Sequence, residues 1–101
     1  MLNQIVMVGR LVSDPEINET ENGKVADITL AVPRSYKNMN GEYDTDFIPV
    51  RLYTGIVEKT TEYCKKGDLV GVKGRVARLS GEDLKLVAEK VTFLSSKPKE
   101  D

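Results

Sequence analysis

Short apolar runs, each bounded by turn-forming residues, limit what this chain can fold into more than any other feature. Five runs have the alternation or the β-branched content of strands: 4–12, 25–32, 46–53, 69–79 and 84–94. A sixth run, 56–66, changes to helical spacing and is the one predicted helix. The predicted order of elements is therefore β-β-β-α-β-β.

The faces of these strands separate a core from a surface. The first strand is apolar on both faces, as in strands that are buried on both sides. In so small a chain, we expect a second subunit to cover one of these faces, with Ile5, Met7 and their neighbours near the contact. The other predicted core positions are Ala26, Ile28, Leu30, Val32, Ile48, Val50, Leu52, Val70, Val72 and Val76.

Turn-forming residues set the predicted boundaries. Asn22-Gly23 suits a tight hairpin, and residues 80–83 form a short turn. Pro33 should end the second strand, and residues 34–45 should form a polar loop that turns at Asn40-Gly41. Pro49 cannot donate a ladder hydrogen bond, so the third strand should have an edge or a bulge there.

The second half of the chain contains the helix and two glycines within a strand. Lys65 and Lys66 should close the last helical turn, where they meet the negative end of the helix dipole, and Gly67 should be the C′ residue. Gly71 and Gly74 predict sharp curvature or a bulge. Five bent strands with a helix between the third and fourth are typical of the OB-fold, an all-β, five-stranded Greek-key barrel. We expect one domain over residues 1–94 and a short flexible tail over residues 95–101.

Residue types that are missing or rare narrow the possible functions. The chain has no histidine and one cysteine, so triads built on histidine, disulfide frameworks and cysteine-rich zinc sites are excluded. We expect no catalysis, no metal and no cofactor. No apolar run approaches a membrane span, and the N-terminus does not resemble a signal peptide. A reduced cytoplasmic setting fits best.

The charge is distributed unevenly along a chain whose net charge is −1. Residues 1–33 carry a net −3, residues 34–53 are balanced, residues 54–79 carry +3, and residues 80–101 carry −1. A polyanion would therefore meet the middle of the chain, although such imbalance is also ordinary on a solvated surface.

The outward face of residues 47–53 is the main candidate for a binding site. Phe47, Arg51 and Tyr53 alternate there with core residues, and such aromatic rings can stack on unpaired bases. Packing of the two rings under a loop or against a partner subunit explains the same pattern. Further candidates of the same kind are Tyr36 with Arg34 and Lys37 in the preceding loop, and Lys73 and Arg75 on the strand after the helix.

The remaining aromatic residues, Tyr43, Tyr63 and Phe93, are interpreted as structural, and Cys64 as a small buried helix residue. Arg10 interrupts an apolar strand, where a paired or interface role and a DNA-binding role are both open.

Several segments resemble the bacterial and phage single-stranded DNA-binding proteins. The opening MLNQIVMVGRLVSDPE and the later segment YCKKGDLV, followed by Gly74-Arg75, are the most specific, and ITLAV, DFI and VTFL fit in order. The resemblance covers about residues 1–94. It implies an OB-fold subunit of a homotetramer, a dimer of dimers, that wraps single-stranded DNA without sequence preference. It also implies that Tyr36, Phe47 and Tyr53 stack on bases and that Arg34, Lys37, Arg51, Lys73 and Arg75 hold phosphates.

Two departures from the family pattern qualify this resemblance. The turn over residues 78–84 is short and has no aromatic residue, whereas family members often have a long hairpin there. The chain also ends at SSKPKED without the acidic, hydrophobic tip through which longer members recruit other proteins. The resemblance implies a bacterial cytoplasmic, nucleoid-associated protein that protects unpaired DNA in replication, recombination and repair. The alternative is an OB-fold protein-interaction module, such as a replication-restart accessory subunit.

Overall fold

Each predicted run forms an element of the expected type in the computed structural model, which describes residues 1–21, 23–78, 81 and 83–96. The strands are β1 (Ile5–Leu11), β2 (Asn18–Thr20), β3 (Gly23–Lys37), β4 (Tyr43–Tyr53), β5 (Leu69–Arg78) and β6 (Leu84–Ser95). The helix α1 (Ile56–Tyr63) lies between β4 and β5. The short strand β2 is the one described element that the sequence pattern did not predict.

The sheet closes on itself. Its strand order is β1-β5-β6-β4-β3-β2, and an additional pairing of β1 with β3 joins five of the strands into a barrel, with β2 outside. The β4–β6 pairing is parallel and the others are antiparallel. The architecture is the predicted OB-fold, with its helix between the third and fourth barrel strands.

The barrel interior holds the predicted core. The most deeply buried large side chains are Ile28, Leu30, Val50, Leu52, Val57 and Val70. At Gly74, β5 runs so close to β6 that an added Cβ would lie 2.1 Å from the Val87 carbonyl oxygen. The β5–β6 register shifts between Lys73 and Gly74, because Glu89 is an extra residue on β6. The bulge predicted from the two glycines is therefore present at the second of them.

The antiparallel hairpin of β3 and β4, called the β3–β4 arm, is longer than predicted. Pro33 does not end β3, which continues to Lys37, and the predicted loop 34–45 is reduced to residues 38–42. Pro33 is tolerated because, among the described residues, β1 pairs with β3 only at Leu30 and Ala31, so beyond these residues β3 has an edge. The predicted edge at Pro49 is also present, because the pairing of β4 with β6 begins one residue later, at Val50.

The helix is shorter than predicted, and its C-terminal end was predicted wrongly. It ends at Tyr63, so Lys65 and Lys66 lie beyond its last turn. Gly67, with φ +89°, belongs to a separate turn rather than to a helix cap. The Asp68 N–H donates to the Lys65 carbonyl at 3.0 Å, and the buried Asp68 carboxylate accepts from the Lys65 N–H at 2.9 Å.

Cys64 is buried, as predicted, directly after the helix. Burial raises the pKa of its thiol, and the negative charge of Asp68 raises it further. Tyr63, in contrast, is 63% exposed, and the buried helix residues are Val57 and Thr60. The prediction of a structural Tyr63 packed on the apolar side of the helix was wrong.

The two faces of β1 differ in exposure within the single chain. Met7 packs against the core, whereas Val6 is 69% and Val8 48% exposed. The uncovered apolar face therefore carries Val6 and Val8 rather than Ile5 and Met7.

Some predictions fall partly outside the described residues. These are Asn22 of the first hairpin, residues 80 and 82 of the turn 80–83, and residues 97–101 of the predicted tail. Around them, Thr20 pairs with Gly23 and Arg78 pairs with Leu84, so both connections are short. Within the described part of the chain, no helix has the length and apolar character to cross a bilayer.

Candidate nucleic-acid interface

The outer face of β4 carries the predicted aromatic residues. Phe47 is 64% and Tyr53 38% exposed, while the intervening Val50 and Leu52 point into the core. Phe47 lies opposite the small Ala31 on β3, and Tyr53 lies opposite Val25. In the described part of the chain, both rings therefore remain exposed at the surface.

Arg51 lies between these rings and is held by a carboxylate that the sequence pattern did not identify. Its Nε donates to Asp27 Oδ1 at 2.9 Å, and its NH2 group donates to Asp27 Oδ2 at 3.1 Å. The two residues are direct cross-strand partners. Hydrogen bonding to Arg51 lowers the pKa of Asp27, and the positive charges of Arg51 and Lys85 lower it further. A phosphate would have to compete with Asp27 for this guanidinium.

Arg34 is engaged in the same way at the base of the β3–β4 arm. Its Nε and NH2 groups donate to the Asp46 carboxylate at 3.0–3.3 Å, and Asp44 lies 3.8 Å from its NH1. This hydrogen bonding raises the pKa of Arg34 and lowers the pKa of Asp46. Arg34 and Arg51, two of the three arginines predicted to hold phosphates, thus have carboxylate partners.

Tyr36 and Lys37 lie at the outer end of the arm, on strand rather than in a loop. Tyr36 is 63% exposed. The β3–β4 register shifts between Pro33 and Lys37, which breaks the alternation of faces there. The Lys37 ammonium lies 5.8 Å from the ring centre of Tyr43, which is itself 57% exposed. Tyr43 therefore belongs to the exposed surface of the arm, contrary to its structural interpretation.

Lys73 and Arg75 are exposed on β5, at some distance from β4. Arg75 pairs with Val87 on β6, and Val87 pairs with Arg51 on β4, so these three lie in one row across the sheet. Lys73 pairs with Val6 of β1. In the described part of the chain, neither Lys73 nor Arg75 makes an ion pair.

Arg10, whose role the sequence left open, has a structural partner. Its NH1 donates to the Gly67 carbonyl at 3.0 Å, which links β1 to the turn before β5.

A five-stranded OB barrel with exposed aromatic rings beside basic side chains is typical of proteins that bind single-stranded nucleic acid. The family model described as the single-strand binding protein family matches residues 2–94. The chain belongs to this family.

Curated relatives cover almost the whole chain. It is 41% identical to single-stranded DNA-binding protein B of Bacillus subtilis (strain 168), covering 99% of this chain and 96% of the relative. It is 44% identical to single-stranded DNA-binding protein 3 of Listeria innocua, covering 96% of this chain and 66% of that protein. The chain therefore matches one relative of nearly its own length and one longer relative.

A solved structure has the same fold. It is a crystal structure of a deletion mutant of the single-stranded DNA binding protein from Thermus aquaticus, with a TM-score of 0.74 and 26% sequence identity. The match covers 93% of this chain and 51% of the other.

Proposed function

We propose that this protein binds single-stranded DNA without sequence preference, with unpaired bases stacked on Phe47, Tyr53 and Tyr36. The exposed rings on the outer face of β4 carry this proposal. Base–aromatic stacking contributes about 1–3 kcal/mol per base and tolerates any sequence, because every base has a π-face. The names of the curated relatives support DNA as the ligand and do not favour a protein-interaction module.

Phosphate contacts come from basic residues on β3, β4 and β5. Lys37, Lys73 and Arg75 are exposed cations on the outside of the barrel, while Arg34 and Arg51 contribute only to the extent that phosphate displaces their carboxylate partners. Stacking therefore contributes a larger share of binding than a count of basic residues suggests.

The biological role follows from coating unpaired DNA. A homotetramer, as a dimer of dimers, would present several such faces to one strand and so raise its avidity. We propose that the protein protects single strands in the bacterial cytoplasm, at the nucleoid, during replication, recombination and repair. No catalytic step is part of this role.

Titration with oligo-dT tests the proposal, with the quenching of tyrosine fluorescence as the signal. Phe47→Ala and Tyr53→Ala should each weaken binding by about 1–3 kcal/mol, because each removes one stacking ring. Leu84→Ala is a suitable control, since Leu84 is as exposed as Phe47, at 64%, but has no ring. A wild-type protein that fails to bind oligo-dT would disprove the function. Ring variants that bind as tightly as the wild type would disprove the site.

A further inference from the structure

A groove between α1 and β6 has no role in the interface described above. Its cavity has a volume of about 370 Å³. The helix residues Ile56, Lys59, Thr60 and Tyr63 line it. They are spaced i, i+3, i+4 and i+7, so they share one face of the helix. The groove is lined by Gly55, Ile56, Lys59, Thr60, Tyr63 and Cys64 on one side and by Glu89, Lys90, Val91 and Phe93 on the other.

Two exposed aromatic rings line this groove. Tyr63 is 63% and Phe93 44% exposed, although both were interpreted from the sequence as structural. Lys59 and Lys90 lie beside them and are exposed, while Glu89 supplies the only carboxylate among the lining residues. Aromatic rings next to basic side chains are the combination that binds unpaired nucleotides.

The groove begins where the outer face of β4 ends. Gly55, which lines it, is two residues after Tyr53, the last ring of that face. On the other wall, β6 runs parallel to β4 with Arg51 opposite Val87. Beyond this pair, β4 ends at Tyr53, and β6 continues through the bulge residue Glu89 into the groove wall. The groove therefore begins within two residues of the last ring of the β4 face along the chain.

We propose that this groove binds the continuation of the same single DNA strand, with bases against Tyr63 and Phe93 and phosphates near Lys59 and Lys90. The inference rests on the proposed function and extends its site from one face of the barrel to two. A nucleotide chain fits because it brings flat rings and negative charge together, which match the aromatic rings and the excess of lysine in the groove.

Variants that remove a ring while keeping apolar bulk provide the first test. Tyr63→Leu and Phe93→Leu remove rings, whereas Tyr63→Phe and Phe93→Tyr keep them. With an oligo-dT of about 16 nucleotides, each leucine variant should bind about 5- to 100-fold more weakly, and the ring-preserving variants should bind like the wild type. About 6 nucleotides is near the short end of the roughly 4–16 that one OB-fold contacts. We expect this length to bind on the β4 face alone, so all variants should bind it equally.

A charge variant provides the second test. Lys59→Gln should lower the salt slope for the long oligonucleotide by about 0.7, the value for one phosphate contact on a single strand. Lys66→Gln is a matched control, because Lys66 is an exposed lysine outside the groove. Equal slopes for the two variants would contradict a phosphate contact at Lys59.

The outcomes separate this inference from the proposed function. If the wild type binds oligo-dT but the leucine variants retain full affinity at both lengths, or lose it equally at both, the groove does not extend the site. A change in the mass of Tyr63→Leu by light scattering would make the groove a subunit contact and overturn the inference. If the wild type binds neither oligonucleotide, the proposed function itself fails.

Discussion

Arg51 shows, at the scale of single residues, how a neighbour changes the chemistry that a side chain offers. The alternation of residues 46–53 correctly places Arg51 on the outer face, but it contains no information about Asp27, 24 positions earlier. Only the register of β3 against β4 brings the two together. The same holds for Arg34 and Asp46. Exposure of the rings could therefore be predicted from the sequence, whereas availability of the arginines could not.

Removing the carboxylate should make Arg51 available to phosphate. We expect Asp27→Asn to bind oligo-dT more tightly at low salt and to steepen the salt slope by about 0.7, as for one additional phosphate contact. Titration at several salt concentrations measures both effects. Glu16→Gln removes the same charge at an exposed position outside the β3–β4 arm and controls for net charge. Equal slopes in Asp27→Asn and the control would mean that Arg51 does not contact phosphate.

The same ion pair predicts a dependence of stability on pH. Because Arg51 lowers the pKa of Asp27 in the folded state, the pair stabilises the fold above the carboxylate's ordinary pKa of about 3.9. This contribution is lost as the pH falls through the lowered pKa. The effect should be modest, since the Asp27 side chain is 50% exposed. Melting temperatures between about pH 7 and pH 2 should fall less steeply for Asp27→Asn than for the wild type. Parallel curves would show that the pair does not contribute to stability.

At the scale of elements, local sequence signals predicted the existence and the type of the helix and the barrel strands better than their end residues. The C-terminal part of the helix illustrates the reason. Lys65, Lys66 and Gly67 form a good local helix terminus, yet the chain leaves the helix at Cys64 because the carboxylate of Asp68 organises a separate turn. Pro33 led to the opposite error, because β3 was predicted to end there but continues to Lys37. A proline is tolerated where a strand has a free edge, and the position of that edge depends on the path of β1.

Gly74 carries a prediction for the packing of β5 on β6. In Gly74→Ala the new Cβ would lie 2.1 Å from the Val87 carbonyl oxygen, which is backbone and cannot rotate away. We expect a loss of about 1–3 kcal/mol in the free energy of unfolding, typical of overpacking. Gly71→Ala on the same strand is the control, because its nearest contact, Leu94 Cδ1, is at 3.8 Å. Chemical denaturation compares them, and equal stabilities would contradict the close approach.

At the scale of the whole molecule, β1 presents two unused surfaces. Val6 and Val8 form an exposed apolar face. In the described part of the chain, β1 pairs with β3 only at Arg10 and Leu11, so residues 5–9 use one edge for β5 and leave the other open. Open edges and apolar faces favour pairing with another chain. A two-fold contact between copies of β1 would cover both, because one self-complementary patch closes the contact.

We therefore expect assembly through β1, with a dimer as the minimum and a tetramer near four times 11.2 kDa as the full form. Light scattering at micromolar concentration measures this directly. Val6→Lys should fold normally, because Val6 is 69% exposed within one chain, but it should shift the mass toward the monomer by placing a charge in the contact. Ile17→Lys, at an exposed apolar position before β2, should leave the mass unchanged. A wild-type monomer would show that no surface of the barrel carries an assembly. If Val6→Lys keeps the mass of an assembled wild type, another surface of the barrel carries the assembly. Because Lys73 pairs with Val6, its phosphate contact should then be tested again in the assembled form.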